Sequence, residues 1–248
     1  VNRNGSNNRT ERVYSNAGIE ATEVLGMAEK KNDLPEKGAV VQRDRETYAI
    51  APDTPAGVVS PDALRKIADV SEKYGAAAIK ITSAQRMVIV GLKEENIDSA
   101  WNDLGMSPGA AIGLCVRSVK ICPGTTFCKK GISDSLSLGM ALHDAYHGMS
   151  LPAKFKIGVS GCPNCCGESW VKDLGFFGFK KGFKVVVGGE AGKKPRIAKE
   201  LTYVESIDDA MKVAESVFGY YKANANPKER IGDFIDRIGF EEFAKGVL

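Results

Sequence analysis

Cys122-Pro-Gly-Thr-Thr-Phe-Cys128 and, after 33 intervening residues, Cys162-Pro-Asn-Cys-Cys166 decide how the rest of this chain is read. The first is a C-x5-C pair, the second a C-x3-C pair with an extra cysteine, Cys165, inside it. Four thiolates delivered as two local pairs on two loops suit a cubane iron–sulfur cluster, because soft sulfur ligands select iron–sulfur clusters or zinc. Zinc pairs usually lie two to four residues apart, so a structural zinc domain is the weaker alternative. Pro123-Gly124 and Gly161…Pro163 put turn formers beside the thiolates, where backbone must wrap a cluster and offer N–H groups to its sulfurs. Cys115 and Cys165 exceed the four ligands and read as packing or loop residues, since free cysteine commonly behaves as a small buried hydrophobe.

The chain has 248 residues, 43% hydrophobic and 26% charged, enough for one large domain or two small ones. A net charge of +3 is too mild to argue for nucleic acid, although a local anion site stays open. No stretch approaches the roughly 18 apolar residues of a membrane span, and the first thirty residues lack a signal-peptide core. Six cysteines without an export signal point to a reducing, cytoplasmic setting.

In chain order, residues 1–33 are polar and read as a disordered arm, with one short helix near Ile19–Ala28. Val40-Val41 and Tyr48–Ile50 read as strands around a polar turn. Ser60-Pro61-Asp62 starts a helix, with Leu64, Ile67, Ala68 and Ser71 on one face and Gly75 ending it. Ala78–Thr82 and Met87–Val90 read as strands, and Ile97 to Leu104 as a helix closed by Gly105. Residues 34–109 therefore form a small α+β layer. In the second unit, 110–248, Val116–Ile121 reads as a strand entering the first cysteine loop. A helix is expected over Asp134–His147, and Phe155–Val159 is a strand delivering the second loop. Phe176–Phe179 and Phe183–Val187 form a hairpin turned by Lys180-Lys181-Gly182, and two closing helices follow. No internal repeat is visible.

Arg117…Cys122-Pro-Gly-Thr-Thr-Phe-Cys128, the segment Lys154–Cys166 and Val187-Gly-Gly…Lys194-Pro-Arg196 resemble the sirohaem and [4Fe–4S] module of the nitrite and sulfite reductase family. Lys80-Ile-Thr82-Ser-Ala-Gln85-Arg86 resembles the ferredoxin-like half-domain of that family. The similarity runs from about Gly38 to Val247, and in length and single-module organisation the chain resembles the small sulfite reductases of anaerobic bacteria and archaea. The resemblance implies an α+β fold, a ferredoxin-like half-domain followed by a sirohaem and [4Fe–4S]-binding domain. It implies Cys122, Cys128, Cys162 and Cys166 as cluster ligands, with Cys166 also bonding the sirohaem iron.

The implied reaction is six-electron reduction of a small anion, sulfite to sulfide, with nitrite to ammonia as the alternative. A second alternative is an electron-transfer protein that carries the cluster without haem. Either anion must shed oxygen as water, so the site needs fixed positive charge and proton donors. By motif position Lys80, Arg117, Lys154 and Lys156 match the basic quartet of the family. Lys154 and Lys156, two apart on a strand, share a face. Sirohaem carries eight carboxylates, for which Arg86, Lys129, Lys130, Lys194 and Arg196 are candidate partners. Thr82, Gln85, Thr125 and Thr126 could add neutral hydrogen bonds, and Gly188-Gly189 close backbone approach.

His143 and His147 share a helical face, but no third ligand accompanies them in the sequence. No nicotinamide or flavin fingerprint is visible, which implies an external electron donor such as ferredoxin or a reductase subunit. Larger relatives carry the module twice, so a single copy with both cysteines and basic residues implies a symmetric homodimer.

Overall fold

The structure, a computed structural model, describes residues 31–248. Most of the arm read over 1–33, including its short helix, lies outside the described residues. Strands β1 (Ala39–Val41) and β2 (Tyr48–Ile50) pair antiparallel. Helix α1 (Pro61–Lys73) is capped by the Ser60 hydroxyl, which accepts from the Ala63 N–H at 3.1 Å. Strands β3 (Ala78–Ile81) and β4 (Met87–Leu92) and helix α2 (Ile97–Leu104) complete an antiparallel sheet of order β1-β2-β4-β3. Gly105, at φ +59°, ends α2 in the left-handed conformation expected of it.

Both helices pack on one sheet face through Ile67, Val70, Ile97 and Leu104 against Tyr48, Ile50, Ile89 and Leu92. The face of α1 differs from the sequence reading: Val70 joins Ile67 and Ser71 in the core, while Leu64 (45% exposed) and Ala68 stay outside. Sheet contact selects the 67/70/71 set, neighbours at i, i+3 and i+4, and leaves Leu64 over a cavity beside Gln85. Lys80 sits directly opposite Val88, on the face the helices leave uncovered.

The second unit is a five-stranded sheet of order β5-β6-β7-β8-β9. Strand β5 is only Lys120–Ile121, shorter than the reading from Val116, because Val116 makes just an isolated bridge to Phe155. A one-turn helix α3 (Gly124–Phe127) and helix α4 (Ser135–Tyr146) carry the chain over to β6 (Ile157–Ser160), which lies parallel to β5. The Asp134 carboxylate caps α4 by accepting from the Ser137 N–H at 3.0 Å. Strand β7 (Leu174–Phe179) is parallel to β6, and β8 (Gly182–Val187) returns antiparallel through the expected lysine turn. Strand β9 (Lys199–Val204) was not legible beforehand.

Helices α5 (Ile207–Asn224), α6 (Ile231–Ile238) and α7 (Phe240–Val247) close the chain, three where two were expected. Gly239, at φ +90°, ends α6, the last helix read from the sequence, and lets a further helix, α7, fold Phe243 and Val247 back into the core. The central strands β6, β7 and β8 are buried on both faces. Val185 and Val187 join the main core, while Val186 packs with Phe177, Ala198 and Trp170 behind it. That is why this strand reads as a continuous apolar run.

Candidate active site

Neighbouring parallel strands end side by side, about 4.7–4.9 Å apart. Cys122 directly follows the end of β5 and Gly161-Cys162 the end of β6, so strand pairing brings the two cysteine loops together. The join is backbone on backbone. A Cβ on Gly161 would stand 2.5 Å from Gly124 Cα and 2.9 Å from the Ser133 carbonyl. The Gly161 carbonyl accepts from the Ile132 and Ser133 N–H groups at 2.9 and 3.1 Å. The Gly161 N–H donates to Cys122 Sγ at 3.0 Å, the kind of contact a cluster thiolate accepts.

Cys122, Cys128 and Cys162 are half-buried and Cys166 is exposed. The Cys165 thiol is pushed up to about 11 by burial and by the sulfurs of Cys162, Cys166 and Cys122 around it. Cys165 turns inward to pack with Trp170, Phe177, Val186 and Ala198, in a left-handed turn at φ +51°. This is the packing role read for it.

Beside the loops, where the two units meet, lies a cavity of about 270 Å³. Arg86, Arg117, Lys120, Lys156 and Lys172 line it, and among the described residues no carboxylate does. Two neighbouring cavities of about 220 and 370 Å³ share Thr82 and Arg86 with it, and the smaller is also lined by Lys80. Arg117 is held by the Ala110 and Gly113 carbonyls at 3.2 and 2.8 Å, and Arg86 by the Gly109 carbonyl at 2.9 Å. The Nε of each is buried with no hydrogen-bond partner among the described residues. Burial lowers the pKa of both guanidinium groups. Lys156 is lowered by burial and by repulsion from Lys154, Lys172 and Arg230. Half-buried cations crowded together without enough carboxylate to balance them favour an anion in such a cavity.

Lys120 and Lys172 were missed from sequence. Glu168, two residues past Cys166, accepts from Lys120 at 2.5 Å and from Lys172 at 2.7 Å. Against the upward push of burial, these two lysines hold its carboxyl below the ordinary value. The signal available beforehand was position: Lys120 stands two residues before Cys122 on the strand that delivers it. Behind Lys156, the buried Asp173 accepts from the Lys156 N–H at 2.8 Å and pairs with Arg230, which also bonds Glu190 at 2.7 Å.

The remaining candidates divide. Thr82 Oγ1 closes its own turn by donating to the Arg86 carbonyl at 3.1 Å. Gln85 spends both ends of its amide on the Ile121 backbone, each at 2.8 Å, and so clamps the residue before Cys122. Lys154 is exposed beside buried Phe155, outside the cavity lining. Thr125, Thr126 and Lys129 are exposed on or just after α3. Gly188 and Arg196 line a separate cavity of about 110 Å³, and Arg196 pairs there with Asp233 and Asp236 at 2.7 and 2.8 Å.

Residues 112–248 match the model of the nitrite and sulphite reductase 4Fe-4S domain, and residues 40–107 that of the nitrite/sulfite reductase ferredoxin-like half domain. This chain belongs to the nitrite and sulphite reductase family. An assimilatory-type sulfite reductase of Nitratidesulfovibrio vulgaris is 43% identical over 212 residues, 86% of this chain and 97% of that protein. A nitrite reductase [NAD(P)H] of Bacillus subtilis is 39% identical over 81% of this chain but only 25% of its own length. Among solved structures, dissimilatory sulfite reductase I superposes with a TM-score of 0.72 at 15% identity, covering 81% of this chain and 69% of that one. This family member therefore has the α+β fold read from its sequence, with a 4Fe-4S domain behind the half-domain. Among the described residues no helix is long and apolar enough to cross a membrane.

Proposed function

We propose that this chain reduces a small oxyanion, sulfite to sulfide, at a sirohaem coupled to a [4Fe–4S] cluster. The five-cation cavity beside the cysteine loops carries the reading. The fit of an anionic macrocycle rests on Arg86 and Arg117, whose buried Nε groups have no partner among the described residues. Cys122, Cys128, Cys162 and Cys166 would hold the cluster, and the exposed Cys166 would also hold the sirohaem iron. Arg86, Lys120 and Lys172 would meet the haem carboxylates. When bound, the two groups supply the open iron site and the stored electrons for a six-electron reduction.

The chain's own part is to bind, orient and protonate. Arg117 keeps its charge and orients the anion. Lys156, with its lowered pKa, gives up a proton more readily than a surface lysine as oxygens leave as water. Lys80 approaches from the uncovered face of the first sheet, and Lys154 adds charge behind Lys156. Electrons come from an external donor such as ferredoxin or a reductase subunit. The cation cavity sets this reading above a haem-free electron carrier, which needs no anion site.

The working unit in this proposal is a homodimer. Strand β3 is an unpaired sheet edge whose Ile79 and Ile81 are 42% and 76% exposed beside Lys80, as a surface covered by a second copy would be. The experiment is the visible spectrum of anaerobically purified protein together with steady-state rates on both anions. Chlorin-type bands in the red and a higher kcat/KM for sulfite are expected. A brown cluster shoulder alone overturns the haem, and a preference for nitrite, as in the Bacillus relative's name, reverses the substrate.

A further inference from the structure

His143 and His147 stand one turn apart at the end of α4, and the structure brings them the third group that the sequence withheld. Asp53, ninety residues before His143 and in the other half of the chain, places Oδ2 at 2.8 Å from His143 Nε2. The same oxygen is 3.7 Å from His147 Nδ1. One ligand atom from each residue lies within 4.8 Å of the other two. The side chains are 5%, 13% and 18% exposed for His143, His147 and Asp53. Asp53 Oδ1, His143 Nδ1 and His147 Nε2 are buried without a hydrogen-bond partner among the described residues.

Two imidazole nitrogens and one carboxylate oxygen form a donor set suited to zinc and neighbouring divalent cations. Bonds of about 2.0–2.1 Å at a tetrahedral angle put donor atoms roughly 3.3 Å apart. The separations of 2.8 and 3.7 Å bracket that value. Neutral imidazole is the form that ligates, and the burial of His147 favours it over the charged form. The two rings stack with centroids 4.3 Å apart, so closing both on one ion takes a tilt about χ2, a soft torsion in histidine.

We propose that Asp53, His143 and His147 form a zinc-type cation site that fastens the ferredoxin-like half to helix α4 of the 4Fe-4S domain. The site is separate from the cysteine loops and takes no part in the redox chemistry. It stands whether or not the chain reduces sulfite. A cation there takes the place of the single hydrogen bond between His143 Nε2 and Asp53 Oδ2 and bridges two units that the chain joins elsewhere through Gln85 and Ile121.

The test uses tag-free, iron-replete holoprotein, equilibrated with zinc chloride, desalted, and analysed for iron and zinc in the same sample. Full cluster iron shows that the cysteines are occupied and cannot hold the zinc. About one zinc per chain is expected, with only nitrogen and oxygen neighbours in its X-ray absorption spectrum. Zinc should also raise the unfolding midpoint of the holoprotein. Asp53→Asn and His147→Ala should each cut retained zinc at least tenfold at unchanged iron. No zinc on iron-replete wild type, sulfur neighbours, or equal retention by both variants overturns the site. The wild-type stoichiometry decides the matter even if a variant fails to fold.

Discussion

Lys156 is half-buried among Lys154, Lys172 and Arg230, and burial followed by their repulsion lowers its pKa. A lysine lowered in this way loses its charge as pH rises through a value below the ordinary lysine range. Anion capture that needs the ammonium is therefore full at neutral pH and falls on the alkaline side. After correction for the ionisation of sulfite itself, kcat/KM should show an alkaline limb below about 10.4, the ordinary lysine value. Lys156→Arg, which does not titrate there, should remove the limb while lowering kcat, because arginine holds its proton. A limb that persists unchanged in this variant would assign the titration to another group. The lysine was legible from its motif, but its lowered pKa was not. The lowering arises first from burial and then from Lys154, Lys172 and Arg230, and the burial, like the last two charges, is set by parts of the chain that local sequence does not join to it.

At the scale of elements, the cysteine loops depend on two strand ends lying in van der Waals contact. Gly161→Ala would drive a methyl to 2.5 Å from Gly124 Cα, and backbone cannot yield as a side-chain tip can. The loops should be forced apart, with stability lowered by about 1–3 kcal/mol. Iron per chain should fall well below that of wild type, and elemental analysis beside a urea titration measures both. Retention of full iron would mean that the loops move together without loss. The strand–loop pattern around these glycines was readable because Cys-Pro-Gly and Gly-Cys-Pro punctuate it. The short β5 and the unforeseen β9 were not, since both depend on partners chosen by the sheet rather than on their own alternation. Gln85 marks the same limit. Its sequence position suggested a cofactor contact, yet its amide completes the backbone pairing of Ile121, a role visible only when the two units meet.

At the scale of the whole molecule, β3 is an edge of the first sheet that carries the exposed Ile79 and Ile81 on the face opposite to Lys80. If a second copy covers that edge, light scattering of holoprotein should give twice the chain mass. Ile81→Lys, which places charge on the 76% exposed position, should shift the mass toward one chain and lower activity in step. A single-chain mass with full activity would leave the cavity complete within one chain. The division into half-domain and 4Fe-4S domain was legible from motifs alone. The surface joining the units was not, because Asp53 and Gln85 carry no local sign of the partners they meet.

The parallel pairing of β5 with β6 has one more consequence. Within each cysteine pair the count of residues is tied to a turn. The 33 residues between the pairs are simply the crossover that returns the chain to the next strand. Adjacency of strand ends, rather than the length of that crossover, sets the distance between the two cysteine loops. Insertions there would lengthen the route without moving its destination, so a search pattern for such sites should fix the two short spacings and let the long one vary.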